Sequence, residues 1–285
     1  LARPYILRSR PALRLPMPSR TTRSITLTGP DAASFANAQF SSDVLALPRG
    51  RWQWSGWLDP KGRVRALLQI ARPDDERFVV IPRGGDGEAI ANDLRRFVFR
   101  SKVKIVVSDV LHTSDGDALD DTHVCEDESG AIRFGEGHAS LRFGDAKVDN
   151  AKVESSNDAW IARHITNGYA WLPDGAIDAL LPPALSMERL GAVSFNKGCF
   201  PGQEIAARLH YLGGHKKHLH TVTSDGTLAE GHSLRVDGNT VGIVLMCHAS
   251  APKPISLVVL DDAAVQADTL EIEGMRLHIV STFDA

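Results

Sequence analysis

Apolar and polar positions alternate through residues 23–29, RSITLTG, and then recur at helical spacing at Ala32, Phe35, Ala36 and Phe40 behind Pro30 and Asp31. The pattern predicts a strand running into a helix. Residues 51–71 carry two apolar runs around Asp59, Pro60, Lys61 and Gly62. Proline presets φ and glycine supplies a positive φ, so a β-hairpin is predicted there. RFVVIP reads as a further strand, Ile90, Leu94, Phe97 and Val98 as one helix face, and SKVKIVV as a strand again. Residues 113–150 are polar, acidic and glycine-rich, which predicts loops and short hairpins of little functional content. AWIARHI predicts a strand, TNGYAWLPDGAIDALLPPAL a loop and SMERLGAV a short helix. Beyond Gly214 the texture changes to short strands separated by turn signals such as Asp237-Gly238. A small all-β barrel or sandwich is expected there. The predicted organisation is therefore a tail over 1–16, an α+β region over 17–214 and a C-terminal β domain over 215–285.

Composition narrows the class. The chain has 285 residues, 43% hydrophobic and 24% charged, which suits a soluble globular protein of two or three domains with no repeat. A net charge of -3 gives no global field for nucleic acid or anionic lipid, so such binding would need a local patch. Direct nucleic-acid binding is not expected. The apolar runs are too short to cross a bilayer, and no membrane association is expected. Cys125, Cys199 and Cys247 are odd in number and widely spaced, which points to a reducing compartment rather than a disulfide framework. A permanent iron–sulfur cluster normally takes about four ligands, so none is expected in this chain alone. Residues 1–16 are rich in arginine and proline and lack acids. They read as a disordered tail, or as an extension ahead of a start at Met17, with an organellar transit segment as the alternative. The compartment follows: cytoplasmic, or mitochondrial if 1–16 is a transit segment.

One stretch carries candidate chemistry: FNKGCFPGQEIAARLHYLGG, residues 195–214. Pro201 suits the first position of a helix, Ile205, Leu209 and Leu212 follow at helical spacing, and Gly213-Gly214 can end it. Cys199 then precedes the first turn, where the helix dipole, free backbone N–H groups and Lys197 favour thiolate over thiol. Gly198 and Gly202 let a ligand or partner approach the backbone. The alternative is that both glycines shape a turn and Cys199 fills a small hole. Cys125, in acidic HVCEDE, and Cys247, in strand-like IVLMCHA, read as inert. His210, His215, His218 and His220 could ligate a transition metal, but the run crosses a Gly-Gly turn and reads first as a solvated basic patch. With Arg208, Lys216 and Lys217 it offers charge to a glutamate tail, RNA phosphates or an acidic partner, or simply faces solvent.

KGCFPGQEIAAR resembles the K-G-C-Y-x-G-Q-E signature, followed by an arginine, of the YgfZ family of folate-binding proteins. The match covers Lys197, Gly198, Cys199, Gly202, Gln203, Glu204 and Arg208, with Phe200 in place of the usual tyrosine. LTGPDAASFANAQFSSDV, DPKGRV, RRFVFRSKVKI and LGAVSFNKGCF resemble further family segments in the expected order. The resemblance implies a T-protein (aminomethyltransferase)-like α+β fold: two α+β lobes and a C-terminal β-barrel around a central cavity that takes tetrahydrofolate. It implies an accessory protein that supports iron–sulfur cluster assembly or repair and tRNA modification, with folate and iron–sulfur enzymes or cluster-assembly proteins as partners. Cys199 would be the functional thiol, tuned by Lys197, and Trp160 would stand against a folate ring. Two departures concern folate: Thr22 stands near a second family tryptophan, and Thr166 where T-protein relatives present an acid to the pterin. A third concerns catalysis: Arg65 and Ala66 stand where T-protein carries aspartates, so the glycine-cleavage reaction is not expected. The alternatives are a tetrahydrofolate-dependent one-carbon transferase or demethylase, and a non-catalytic scaffold for cluster-assembly partners.

Overall fold

The computed structural model describes residues 20–145, 153–249, 253–265, 269–272 and 274–284, side chains of 153–158 excepted. The segment 1–16 and Met17 lie outside the described residues. The chain begins with β1 (Thr21–Thr22) and β2 (Ile25–Thr28), followed by α1 (Ala32–Gln39), β3 (Arg51–Leu58), β4 (Val64–Asp74), β5 (Arg77–Pro82), α2 (Gly87–Arg95) and β6 (Lys104–Val107). β2 to β6 form an antiparallel five-stranded sheet in the order β3-β4-β5-β2-β6. Its two faces are both covered. Ile25, Leu27, Phe78 and Val80 pack with Phe35 of α1 and Leu94 of α2, while Leu67, Val79 and Ile81 face a larger core shared with the rest of the molecule. That double burial is why β5 reads as an uninterrupted apolar run rather than an alternating one.

The hairpin between β3 and β4 forms as the sequence predicts, with Gly62 at φ 77° and its N–H donating to Asp59 O at 2.9 Å. The helix predicted through Val98 is shorter. α2 ends at Arg95, the chain turns through 96–99, and Phe97 is left 43% exposed. The cause is topological: Leu94 is the last fully buried side chain before the chain must turn back into edge strand β6, and only Val98 of the turn still packs on the core.

A second antiparallel sheet takes β1 together with β7 (Leu111–Gly116), β8 (Val124–Glu126), β9 (Ile132–Gly135) and β10 (Ser140–Gly144), in the order β1-β7-β10-β9-β8. α3 (Val153–Asn167) follows and packs on β7. The strand predicted for AWIARHI is therefore corrected to a helix. Trp160, Ile161, His164 and Ile165 are buried together, a helical stripe that the β-branched and aromatic residues disguised as strand. SMERLGAV is likewise corrected, to successive turns, because Ser186 adopts φ 52° directly after the 3-10 turn Pro182–Leu185. α4 (Gln203–Leu212) then leads to the last sheet.

That sheet holds β11 (Lys217–Ser224), β12 (Ser233–Val236), β13 (Asn239–His248), β14 (Ile255–Asp261), β15 (Thr269–Ile272) and β16 (Met275–Phe283). Its order is β12-β13-β14-β11-β16-β15, and the edge strands β12 and β15 approach each other, so the sheet curls into a nearly closed barrel. Val222, Val244, Val258, Leu260 and Leu277 fill the interior. Leu219, Leu245, Leu257 and Val259 point outward and join the large core beneath the other two sheets. All three sheets therefore meet at one centre.

Candidate functional junction and cysteine loop

A chain of buried polar groups occupies that centre. Where the chain leaves β5, Arg83 is fully buried, and its Nη2 lies 2.7 Å from His164 Nδ1 while Nε donates to Ala170 O at 3.3 Å. His164 Nε2 lies 2.7 Å from Glu136 Oε1, and the other oxygen of Glu136 accepts from Arg163 Nε at 2.9 Å. Arg163 Nη1 closes the chain on Asp115 Oδ1 at 2.9 Å. A guanidinium only donates, so His164 Nδ1 must accept and its proton sits on Nε2, aimed at Glu136. Protonating Nδ1 would set N–H against N–H. Burial pulls His164 down to about 4, with the Glu136 charge opposing and Arg83 adding to the fall. Burial by itself would raise Glu136, but its contacts to His164 and Arg163 outweigh this and hold it at about 2. Burial draws Arg83 down to about 9. None of these five residues was singled out from sequence, and 113–150, read as functionally poor, supplies both Asp115 and Glu136.

Beside this chain lies a cleft of about 520 Å³ lined by Arg20, Gly84, Gly85, Trp171, Asp174 and Glu230 among others, from all three sheets and their connections. Gly84 has φ 106°, and a Cβ there would lie 2.0 Å from Leu172 O, so only glycine lets the strap after β5 lie against the backbone of the Trp171 segment. The Arg83 guanidinium stands 4.7 Å from the Trp171 ring centre and that of Arg20 5.6 Å. Trp160 is fully buried behind this wall, with its ring centre 6.1 Å from that of Trp171. Trp171, not Trp160, lines the cleft. Two buried polar groups near the wall have unpartnered atoms: Arg83 Nη1 and the side-chain amide of Gln69, whose strand partner Trp54 also lies under Arg83. Unpartnered buried polar atoms are rare and cost free energy. Both groups are fully buried and neither lines the cleft, whose indole edge is Trp171. Of the two departures, Thr22 is buried and donates to Pro82 O, and Thr166 is exposed with its hydroxyl on Ala162 O.

The motif around Cys199 is a second feature, fastened to the C-terminal end of α1 and the residues just after it. Ser194 N–H donates to Ser41 O, Ser41 Oγ to Ala192 O, and the Lys197 ammonium to the carbonyls of Asn37, Phe40 and Ser42 at 2.5, 2.5 and 2.8 Å. An ammonium has three donors, and here all three cap the C-terminal end of α1, where the helix dipole also favours a cation. Burial lowers Lys197 to about 8. Lys197 thus clips the loop in place. Phe200 is buried under this lysine, 5.0 Å from Nζ, and Phe195 stacks on His210 at 4.4 Å. Pro201 lies ahead of the helix rather than in its first turn, because Gly202 at φ 76° is the N-cap and α4 begins at Gln203. The apolar face expected at Ile205, Leu209 and Leu212 is also revised: Ala206 is the buried residue and Leu212 is exposed. Cys199 is exposed, and nothing lies within 4 Å of where a Cβ on Gly198 would stand, so the approach to the thiol is open. Gln203 is half-buried, while Glu204 and Arg208 face solvent.

Gly202 has a different reason to be glycine. A Cβ on it would fall 2.5 Å from Asp59 O and 2.9 Å from Gly62 Cα, both backbone atoms of the β3–β4 turn. Gly202→Ala is expected to cost about 2 kcal/mol or more, from the left-handed φ and the backbone clash together. A lowered midpoint in chemical denaturation checks this. A midpoint unchanged from the parent would mean that the loop is not seated on the hairpin.

The remaining sequence candidates are spread apart. Arg65 pairs with Asp93 at 2.8 Å and lies over Trp57. His210 pairs with Glu188 at 2.6 Å, His215 and His218 share a 3.0 Å contact with His218 also on Asp262, and His220 contacts Thr282. Among the described residues no group of three or more His, Cys, Asp or Glu is arranged to hold a metal ion. Cys247 is buried, which pushes its thiol up, and Cys125 is exposed on β8.

The three sheets, the helices between them and the junction cleft define a protein of the aminomethyltransferase T fold. The structure matches the glycine cleavage system aminomethyltransferase T from Bartonella henselae with a TM-score of 0.68, over 91% of this chain and 82% of that one, at 18% identity. In sequence the chain is similar to the tRNA-modifying proteins YgfZ, and the family resemblance carried by the motifs thus extends over most of its length. It is 26% identical to that of Aliivibrio fischeri strain MJ11 over 216 residues, 70% of this chain and 68% of the relative. It is 27% identical to that of Klebsiella pneumoniae strain 342 over 225 residues, again 70% and 68%. No family profile matches the chain. No described helix is long and apolar enough to cross a membrane.

Proposed function

We propose that this chain is a folate-binding accessory protein of tRNA modification, supporting iron–sulfur cluster assembly or repair, with Cys199 as its working thiol. The observation that carries the reading is the joint occurrence of an exposed thiol on a firmly clipped loop and a T-protein fold with a cleft, edged by Trp171, where the three sheets and their connections meet. Relatives bearing the name tRNA-modifying protein supply the process. Trp171 and Arg20 would flank the folate, with Trp160 supporting the wall from behind. A bound reduced folate supplies a carrier for one-carbon units. The chain's own residues bind it, fix its ring and keep water from the buried polar chain. The thiol is the nucleophilic or metal-ligating group the loop offers outward, and one such group can complete a site only together with a partner's ligands.

Tetrahydrofolate titration followed by tryptophan fluorescence tests the cleft. Saturable quenching is expected, weakened about two- to tenfold in Trp171→Leu, since stacking on an aromatic wall contributes about 0.5–1.5 kcal/mol beyond the area it buries. Equal affinity in the parent and Trp171→Leu, or no binding in either, would contradict the folate assignment.

A further inference from the structure

The turn between α2 and β6 presents a surface that the cleft and the thiol leave unused. Residues 95–104, RRFVFRSKVK, hold five basic residues and no acid, and Arg95, Arg96, Arg100, Lys102 and Lys104 are all exposed. Between them Phe99 is 86% exposed and Phe97 43%, while Val98 and Val103 pack on the core. Arg95 and Arg96 are balanced by Glu88 and Asp93 at 3.2 and 3.6 Å. Arg100, Lys102 and Lys104 have no ion pair among the described residues. β6 is an edge strand, paired only with β2, so one side of its backbone is open as well.

We infer that this surface is an RNA-binding face, taking the phosphates of a single-stranded loop on Arg100, Lys102 and Lys104 and an unstacked base on Phe99. The chemistry is that of single-strand recognition, in which a cationic track follows the backbone and an exposed aromatic ring stacks a base without reading its sequence. An anionic membrane fits less well. The apolar face of α2, Ile90, Ala91 and Leu94, is spent in the core, which leaves no amphipathic helix to lie in a bilayer interface. The net charge of -3 had argued against nucleic acid, but binding of this kind depends on the local patch.

The face also has a fixed relation to the thiol loop. Asp31 at the start of α1 accepts the backbone N–H of Lys102 at 2.6 Å, and the carbonyls at the other end of α1 hold Lys197. α1 spans eight residues, or about 12 Å at 1.5 Å per residue. One short helix thus joins the two surfaces. The inference deepens the tRNA reading proposed above and rests on it for the choice of RNA.

Fluorescence anisotropy of a labelled, unmodified RNA hairpin with a single-stranded loop tests it on the full chain. Binding is expected, with log K against log salt between about 50 and 200 mM falling with a slope of about −2, as three phosphate contacts at roughly 0.7 each require. Arg100→Ala/Lys102→Ala/Lys104→Ala should flatten that slope. Phe99→Ala should weaken binding about tenfold and leave the slope unchanged. The ring is exposed, so its loss leaves the fold intact. Absence of RNA binding at low salt overturns the inference, as does binding that neither variant alters. Patch-dependent capture by phosphatidylserine vesicles without RNA binding overturns it in favour of a lipid surface. A failure here with Cys199 still required in cells removes this face alone, whereas RNA binding with Cys199 dispensable keeps the face and removes the thiol's role.

Discussion

Glu136→Ala is expected to destabilise the protein by about 3–5 kcal/mol, the loss that follows when one partner is removed from a buried ion pair. Glu136 is the acceptor for both His164 and Arg163. Without it the centre retains Arg83, Arg163 and a histidine N–H, with only the carboxylate of Asp115 still bonded within the chain, to Arg163. Glu136→Gln keeps one acceptor, for the His164 N–H, but loses the charge and turns an amide NH2 toward Arg163, so its penalty should lie between those of the parent and alanine. Midpoints of urea denaturation for the three proteins, in the order parent, glutamine, alanine, check the ranking. A parent-like Glu136→Ala would mean that the buried chain contributes little to stability.

The same chain fixes the sign of the acid response. His164 ordinarily titrates near 6.5 and is held at about 4 in the fold, so the stability it contributes is complete above pH 6.5 and is lost as pH falls through about 4. Glu136 ordinarily titrates near 4.5 and is held at about 2, so its contribution is present above pH 4.5 and is lost toward pH 2. Both slopes run the same way. The denaturation midpoint should fall steadily on acidification from pH 6.5, and Glu136→Ala should lose the lower part of that fall.

Much of the sheet formed by β2 to β6 was legible because local signals and tertiary demands agree there. The Asp59–Gly62 turn has the residues its geometry requires, and β2, β5 and β6 have apolar patterns that no neighbour overrides. The segment around Cys199 was legible by its spacing, and the ordered motifs pointed to the T-protein fold that the structure has. The failures have specific causes. α3 was mistaken because Trp160, Ile161 and Ile165 favour strands, while the stripe they share with His164 becomes apparent only once the helix packs. The buried polar chain was invisible because Arg83, Glu136 and His164 are far apart in sequence and each, alone, reads as surface. Arg83 sits in PRGGD, which has the composition of an ordinary turn. Only the meeting of three sheets makes it a core residue. Lys197 was legible as a motif position but not in its task, since its ammonium faces the carbonyls of α1.

Those carbonyls sharpen the account of the thiol. With its three donors committed, Lys197 holds the loop so that Cys199 projects outward from a fixed base, and the glycine beside it leaves the sulfur open to a partner. Cys199→Ala removes one exposed sulfur and touches none of these clips, so its effect should be functional rather than structural. The most direct measurement is the modified-nucleoside content of total tRNA, by mass spectrometry, in cells lacking the endogenous protein and supplied with either the parent chain or Cys199→Ala at matched abundance. The account predicts that the parent chain restores the modified nucleosides and Cys199→Ala does not; full restoration by Cys199→Ala would contradict it.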